Sequence, residues 1–387
     1  MPYAIALVER MREFGTTIFA EMSALAVETS SVNLGQGFPD TDGPPELLAA
    51  AADAIRGGLN QYPPGPGIPE LRAAVSEHQR RCHGLDYDPD TEVLVTAGAT
   101  EAIAATLLAL VETGDEVVLF EPYYDSYAAC VTLAGATRRV VTLERDGDRF
   151  GFDSAALRAA VTGRTRALVL NTPHNPTGTV FTADELAAIA QLAIERDLVV
   201  ISDEVYEHLT FDGRAHIPIA TLPGMRERTV TVSSAGKTFS VTGWKIGWAC
   251  APPPLLRAVR SVKQFLTYVN GAPFQPAVAQ ALTTAEKTAP AAALQAQRDL
   301  LCAGLADLGF DVTRPQATYF ATADVGGDAV SFCRELPRRA GVVAIPSSVF
   351  YDTDAGRSYV RFAFCKRPEV LEEALRRLAG AERRAAT

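Results

Sequence analysis

Short apolar runs alternate with helix-forming stretches through the middle of the chain, and this alternation constrains the fold more than any other feature of the sequence. Helical patterns at 154–161 and 183–196 separate the later apolar runs. The apolar runs that have the length of strands are 92–96, 115–120, 167–171, 198–203 and 229–233. Because parallel strands are joined by helical crossovers, the pattern predicts an α/β fold with a mainly parallel, doubly wound sheet.

Polar side chains stand at the carboxyl ends of three of these runs. Asn171 and Asp203 end two runs, and Ser234 directly follows a third. In doubly wound sheets, ligands bind beyond the carboxyl ends of the strands. Ala99 and Thr100 follow another run and open a helix, where free backbone amides favour an anion, although a plain turn between a strand and a helix has a similar sequence. The pattern predicts one ligand site at this edge of the sheet.

A single lysine follows the last of these runs, in the segment 231–248. Lys237 lies among hydroxyls and glycines, with Ser234 before it and Lys245 after it. A lysine that is desolvated in such a segment can act as an amine nucleophile toward an aldehyde. The hydroxyl of Ser234 and the ammonium of Lys245 suit a phosphate, so the segment indicates pyridoxal 5′-phosphate (PLP). Taken alone, a Lys-Thr pair is more often a surface lysine.

Composition narrows the class of protein. The chain has 387 residues, of which 48% are hydrophobic, so it can bury a large core. Its net charge of −10, without a dense basic run, argues against nucleic acid or an anionic membrane as a partner. The six cysteines show no zinc-binding spacing, which predicts reduced thiols and no metal site. The absence of a secretory segment or a long apolar run predicts a cytoplasmic protein.

The two ends of the chain differ from the middle. Residues 1–31 have the pattern of an amphipathic helix followed by coil, and the segment after about 280 has the pattern of a smaller α+β unit. We therefore expect an N-terminal arm that joins the small domain at 1–40, a large ligand-binding domain at 41–280 and a small domain at 281–387.

Four motifs together carry a family resemblance. Asn-Pro-Thr-Gly at 175–178, Ser-Asp-Glu-Val-Tyr at 202–206, Ser-x-x-Lys at 234–237 and Arg361 resemble the class I/II aminotransferases of PLP fold type I, essentially end to end. Gln-Gly-Phe-Pro at 36–39 and Thr-Gly-Trp-Lys-Ile-Gly-Trp at 242–248 resemble the kynurenine and glutamine transaminase branch. The segments 18–26, 60–67 and 173–176 resemble actinobacterial N-succinyldiaminopimelate aminotransferases.

The resemblance implies a fold, a cofactor and a role for most of the polar residues above. It implies a seven-stranded, mainly parallel sheet sandwiched by helices, a smaller α+β domain and a homodimer. Lys237 would hold PLP covalently and move the substrate proton, with Asp203 and Tyr206 as the other catalytic residues. Asp203 would pair with the pyridinium nitrogen. The remaining cofactor contacts would be Tyr206 and Asn175 at the phenolate, Tyr124 under the ring, and Ala99, Thr100, Ser234, Lys245 and, from the second subunit, Tyr62 at the phosphate.

The resemblance also implies a substrate carboxylate site. Arg361 would clamp the α-carboxylate with two parallel hydrogen bonds, and Asn171 and the Gly37 backbone would complete the clamp. Phe19 would close over the substrate. A buried structural ion pair is the alternative for Arg361. Lys245 departs from the arginine that many relatives carry, but the kynurenine branch shares this lysine.

The expected activity is a ping-pong transfer of an amino group between an amino acid and a 2-oxo acid, with glutamate and 2-oxoglutarate as one pair. N-succinyldiaminopimelate would need a cation for its distant carboxylate, whereas kynurenine, glutamine or methionine would suit Phe19, Tyr124 and Tyr268. A PLP-dependent C–S β-lyase on the same fold is a further alternative. The sequence lacks the appended helix-turn-helix of a PLP-type regulator and the GxGxxG motif of a nicotinamide enzyme.

The histidines carry no assigned function in this interpretation. His174 lies in the 172–178 loop without a role, and the other four are expected at solvated or core-edge positions: His78, His83, His208 and His216.

Overall fold

The computed structural model describes residues 8–15, 17–284 and 289–385. Its strands are β1 (Val32–Asn33), β2 (Val93–Ala97), β3 (Glu116–Glu121), β4 (Thr137–Thr142), β5 (Glu144–Asp146), β6 (Arg149–Gly151), β7 (Thr165–Asn171), β8 (Val199–Asp203), β9 (Thr229–Ser234), β10 (Ile246–Cys250), β11 (Asp311–Val312), β12 (Phe320–Asp324), β13 (Val342–Val343), β14 (Ile345–Pro346) and β15 (Tyr359–Ala363). Its α-helices are α1 (Ile18–Glu28), α2 (Pro45–Arg56), α3 (Pro69–His83), α4 (Gly98–Leu110), α5 (Asp125–Leu133), α6 (Ser154–Ala160), α7 (Ala183–Glu195), α8 (Ala235–Thr238), α9 (Pro253–Leu266), α10 (Phe274–Thr284), α11 (Ala289–Asp307), α12 (Ala329–Ala340) and α13 (Pro368–Ala385).

The large sheet has seven strands in the order β2-β10-β9-β8-β7-β3-β4. The strands from β9 to β4 pair in parallel, and β10 runs antiparallel to both of its neighbours. The predicted α/β class and mainly parallel seven-stranded sheet are confirmed. β4 and β10 were not among the predicted strands. β4 is an edge strand that carries Arg138 and Arg139, so it lacks the continuous apolar run that marks a buried strand.

Helices cover both faces of this sheet, because successive side chains of a buried strand point to opposite faces. Along β3, Val117 and Leu119 pack into one core cluster with α4 and α5, whereas Val118 and Phe120 pack into another with α6 and α7. The carboxyl ends of β7, β8 and β9 therefore open at one edge, between two helical layers.

A smaller four-stranded antiparallel sheet, in the order β11-β12-β15-β14, follows in the C-terminal part of the chain. Arg361 lies on β15, opposite Thr322 of β12 and Ile345 of β14. β1 pairs in parallel with β13, so the N-terminal segment joins this part of the molecule. Residues 1–7 and 16 of the segment predicted to be an N-terminal helix lie outside the described residues. Within the described part, a 3-10 helix spans Glu9–Met11, and α1 begins at Ile18, where the Thr17 side chain accepts a hydrogen bond from the Ala20 amide.

No helix within residues 8–15, 17–284 or 289–385 is long and apolar enough to cross a membrane.

Candidate active site

The predicted site residues converge on one cavity of about 400 Å³ between the carboxyl ends of the large sheet and the smaller sheet. The cavity is lined by all of them except Tyr62, namely Phe19, Gly37, Ala99, Thr100, Tyr124, Asn171, Asn175, Asp203, Tyr206, Ser234, Lys237, Lys245 and Arg361. These residues come from both ends and the middle of the sequence, so the fold creates the site by bringing them together.

Tyr62 lies apart from this cavity. Its side chain is 80% exposed, and its ring meets Tyr268 edge-on at 5.5 Å between centroids. Its predicted contribution comes from a second subunit, so its role at the phosphate stays a prediction. Tyr268 is likewise exposed and does not line the cavity of its own chain, so its predicted place in the substrate pocket also stays a prediction.

Lys237 reaches the cavity from a single turn of helix, α8, that directly follows β9. Its Nζ donates a hydrogen bond to the Tyr319 hydroxyl over 2.7 Å, and that hydroxyl donates to the Gly37 carbonyl over 2.7 Å. Burial lowers the pKa of Lys237 to about 8, and the charges of Lys245 and Arg361 act in the same direction. A neutral amine, which is the nucleophilic form, is therefore accessible near neutral pH.

Asp203 ends β8 at the floor of the cavity. Its Oδ2 accepts a hydrogen bond of 2.6 Å from the Tyr127 hydroxyl, and its Oδ1 accepts one of 3.3 Å from the Val205 amide. Burial raises the pKa of Asp203 to about 6, against the opposing effect of these hydrogen bonds and of Lys237. A cationic partner would stabilise the charged form of this buried carboxylate and would return its pKa toward the ordinary value.

Tyr127 and Tyr319 contact the site residues but were not predicted. The start of α5 at Asp125 places Tyr124 and Tyr127 three residues apart, with their rings at right angles and 5.7 Å between centroids. That helical spacing follows a strand end and could have identified Tyr127. Tyr319 immediately precedes β12 and reaches Lys237 only through the tertiary fold, so no local pattern identifies it.

One end of the cavity is suited to an anion. α4 begins at Gly98, so Ala99 and Thr100 occupy its first turn, where backbone amides have no partner within the helix. Lys245 lies beside this turn, since a Cβ built on Gly98 would be 3.0 Å from its Nζ. Gly98 also has a φ of +76°, which favours glycine. The helix end, the ammonium and the nearby Ser234 hydroxyl together match a phosphate group.

Arg361 marks the opposite wall. It is 2% exposed, and its guanidinium lies 4.0 Å from the Phe320 ring, 4.9 Å from Phe350 and 5.3 Å from Phe19. It donates hydrogen bonds to Asn175 Oδ1 over 3.2 Å and to the Gly35 carbonyl over 3.1 Å.

The Nε of Arg361 is buried without a hydrogen-bond partner, and no carboxylate of the described residues forms an ion pair with this guanidinium. Burial lowers the pKa of Arg361 to about 10. The observed contacts therefore do not support the alternative of a structural ion pair. A buried and incompletely satisfied guanidinium calls for an anionic ligand.

The two asparagines have different surroundings from those predicted. The Asn171 side chain donates to the Asp203 carbonyl over 2.9 Å and accepts from the Asn175 amide over 2.7 Å, so both of its polar atoms hold the backbone. Asn175, in contrast, contacts Arg361 directly. The roles predicted for Asn171 in the carboxylate clamp and for Asn175 at the phenolate stay predictions, and Asn175 is the one of the two that contacts Arg361.

Comparisons with known proteins find relatives over nearly the whole chain. The model of the family "Aminotransferase class I and II" matches residues 29–378. A probable N-succinyldiaminopimelate aminotransferase of Mycobacterium tuberculosis is 57% identical, with 98% of this chain and 100% of that protein covered. The methionine aminotransferase of Escherichia coli K12 is 40% identical, with 95% and 97% covered. The solved structure of N-succinyldiaminopimelate aminotransferase from M. tuberculosis superposes with a TM-score of 0.95 at 58% identity, over 97% of this chain and 100% of that one.

Proposed function

The chain belongs to the class I and II aminotransferases, which depend on PLP, and from this premise we propose that it transfers an amino group between N-succinyldiaminopimelate and 2-oxoglutarate. The observation that best supports an amino acid substrate is the buried Arg361 guanidinium. It lines the same cavity as Lys237, whose amine has a lowered pKa. The identity of 57% to the mycobacterial relative supports this particular substrate, and with it a place in lysine biosynthesis.

The groups around the cavity fit PLP in chemistry. Lys237 offers an amine to the aldehyde, Asp203 offers a buried carboxylate to the ring nitrogen, and Lys245 with the first turn of α4 offers positive charge to the phosphate. When bound, PLP supplies an electron sink that makes the substrate Cα–H acidic.

The chain's own residues bind and orient the amino acid. We propose that Arg361 and Asn175 hold the α-carboxylate, which fixes the Cα–H relative to Lys237. Burial lowers the pKa of Lys237 to about 8, so a fraction of its amine is neutral at neutral pH. In this form Lys237 would take the proton from Cα and deliver it to the C4′ carbon of the cofactor. The aromatic rings of Phe19, Phe320 and Phe350 exclude water around the guanidinium, which strengthens its hold on a carboxylate.

A second cavity supports a substrate with a long side chain. It has a volume of about 660 Å³ and shares Thr17, Tyr124 and Asp125 with the first. Arg138 lines it and hydrogen bonds to Asp352 and Glu13. An amino acid that extends from Arg361 past Tyr124 would therefore find space for a long side chain in this second cavity.

The first half-reaction, in which an amino acid converts the PLP form of the enzyme to the pyridoxamine form, tests which substrate the enzyme prefers. The PLP form is mixed with N-succinyldiaminopimelate, glutamate, kynurenine or methionine, and its conversion to the pyridoxamine form is followed by absorbance. We expect the first two to convert the enzyme, with kcat/KM for N-succinyldiaminopimelate at least tenfold above kynurenine and methionine. A preference for methionine or kynurenine would favour those aminotransferases, and release of pyruvate and ammonia from a cysteine conjugate without conversion would favour the lyase.

The pH dependence of cofactor attachment tests the state of Lys237. Its pKa is lowered to about 8, so the amine is charged below this pH and neutral above it. We expect the rate at which the apoenzyme attaches PLP covalently to rise between pH 7 and pH 9 with a midpoint near 8, followed by stopped-flow absorbance. A midpoint near the ordinary lysine value of about 10.4 would contradict the buried amine.

We also propose a cytoplasmic homodimer in which Tyr62 reaches the phosphate of the partner's site. Exposed apolar residues support this assembly, because Phe265 is 83% exposed at the end of α9 and Tyr62 and Tyr268 pack together nearby. We retain the domain division at 1–40, 41–280 and 281–387 as part of the proposal, with Lys237 in the large domain and Arg361 in the small one.

A further inference from the structure

Four of the five histidines form one cluster outside the active-site cavity. His78 and His83 lie on α3, and His208 and His216 lie in the segment that follows β8. The ring centroids of His78 and His208 are 5.0 Å apart, and those of His83 lie 5.8 Å from both His78 and His216. His78 is 1% exposed, and the side chains of His83 and His216 are 7% and 2% exposed. His78 is therefore buried in the core, contrary to expectation, whereas His83 and His216 lie at the core edge with their rings turned inward.

Part of the cluster has the composition of a metal site. His78 and Cys82 lie four residues apart on α3, which places them on one face of the helix. His208 meets them from the other segment, with its Nε2 only 2.7 Å from the Nε2 of His78. The ligand atoms of His78, Cys82 and His208 all lie within 4.8 Å of one another. Two imidazoles and a thiolate are ligands that zinc prefers.

The distances require only small side-chain movements. Zinc–nitrogen and zinc–sulfur bond lengths in a tetrahedral site place neighbouring ligand atoms roughly 3.3–3.8 Å apart. The His78–His208 pair must open slightly from its direct hydrogen bond of 2.7 Å, and the thiol must approach. Cys82 is exposed, so an ion can enter from solvent on its side.

Buried carboxylates next to the cluster supply negative charge for a dication. Glu207 is 5% exposed, and one of its oxygens lies 2.5 Å from His83 Nε2. The ligand atoms of His78, His83 and Glu207 also lie within 4.8 Å of one another. Ser233 donates a hydrogen bond of 2.5 Å to the other Glu207 oxygen, which fixes the carboxylate. Carboxylates and histidines arranged around the ligands in this way orient a metal site and raise its affinity.

We propose that His78, Cys82 and His208 bind one zinc ion, with water in the fourth position. The ion links α3 to the segment that follows β8. Asp203 is the last residue of that strand. It lies outside the catalytic cavity, so its role is structural, and it stabilises the folded chain by binding it in preference to the unfolded chain.

The test measures zinc on the PLP-loaded enzyme. The protein is dialysed against a chelator, exposed to Zn²⁺, passed through a desalting column and analysed by plasma mass spectrometry. We expect one zinc per chain and a higher melting temperature with zinc than after chelation. Cys82→Ser changes an exposed side chain, so we expect the fold to be kept and the zinc affinity to fall at least tenfold. His78→Asn is expected to retain no stoichiometric zinc.

Glu77→Gln is the matched control, because Glu77 lies on the same helix and pairs only with the exposed Arg80. It should bind zinc as the unaltered protein does. Cobalt(II) provides a second measurement, since tetrahedral coordination gives visible d–d bands that Cys82→Ser should shift. Zinc that is not retained after desalting, or that Cys82→Ser and His78→Asn retain equally well, would overturn the proposal.

Discussion

Lys237→Ala is expected to abolish transamination, with kcat reduced by more than about 10⁴-fold. The substitution removes both the amine that attaches the cofactor and the group that moves the substrate proton. The other cavity groups remain, so PLP should still bind noncovalently at the cation-rich end beside Lys245. Steady-state transamination and the amount of PLP retained after desalting measure the two effects separately.

Lys237→Arg is the matched variant for this prediction. It keeps a long cationic side chain, but a guanidinium is not a nucleophile near neutral pH. Both variants should unfold near the temperature of the unaltered enzyme, because the lysine amine makes its one direct hydrogen bond with the Tyr319 hydroxyl. Multiple turnovers by either variant would remove Lys237 from its role.

Arg361→Lys is expected to lower kcat/KM by about 10²- to 10³-fold for the amino acid and for the 2-oxo acid alike. A lysine keeps the charge but loses the planar fork that grips a carboxylate with two hydrogen bonds. The loss corresponds to about 3–4 kcal/mol, within the range for disrupting a buried charge pair. The separate half-reactions, measured by stopped-flow absorbance, give both values.

Comparing the effect of Arg361→Lys on different substrates shows whether Arg361 binds the substrate carboxylate or has a structural role. A clamp used in both half-reactions should raise KM for glutamate and 2-oxoglutarate together, while the rate of cofactor attachment stays unchanged. Asn175→Ala should act in the same direction with a smaller effect, since its amide contacts the guanidinium through one hydrogen bond. Unchanged KM values in Arg361→Lys, or an equal loss for an amine without a carboxylate, would contradict the assignment.

Most of the fold was predictable because the buried strands carry uninterrupted apolar runs. β7 and β8 were placed within two residues of their observed bounds, as were α6 and α7. β4 and the β5–β6 hairpin were missed because they carry charged residues and lie where burial is incomplete. β10 was also missed although it is buried between β2 and β9, because Gly247 interrupts its short apolar run. Periodicity reports burial, so it finds long apolar strands more readily than charged or glycine-containing ones.

The cavity was predictable from motifs, but the contacts inside it were not. Asn171 ends β7 and Asn175 lies in the loop that follows, and only the tertiary structure shows which of these two amides contacts Arg361. Tyr319 is 82 residues away from Lys237 in sequence, and His208 is 130 residues away from His78. Hydrogen bonds across such separations depend on how the layers pack, and no local pattern encodes them.

Gly37 packs so closely against its neighbours that the residues at positions 37, 320 and 361 depend on one another. A Cβ at this position would lie 2.3 Å from the Phe320 ring, and that ring lies 4.0 Å from the Arg361 guanidinium. Any larger residue at 37 therefore displaces the ring and, through it, the guanidinium. Substitutions at positions 37, 320 and 361 are consequently expected to occur together among descendants of this enzyme, because the effects of substitutions at contacting residues are not additive. New specificities should arise instead around Thr17 and Asp125, where the cavity meets its neighbour.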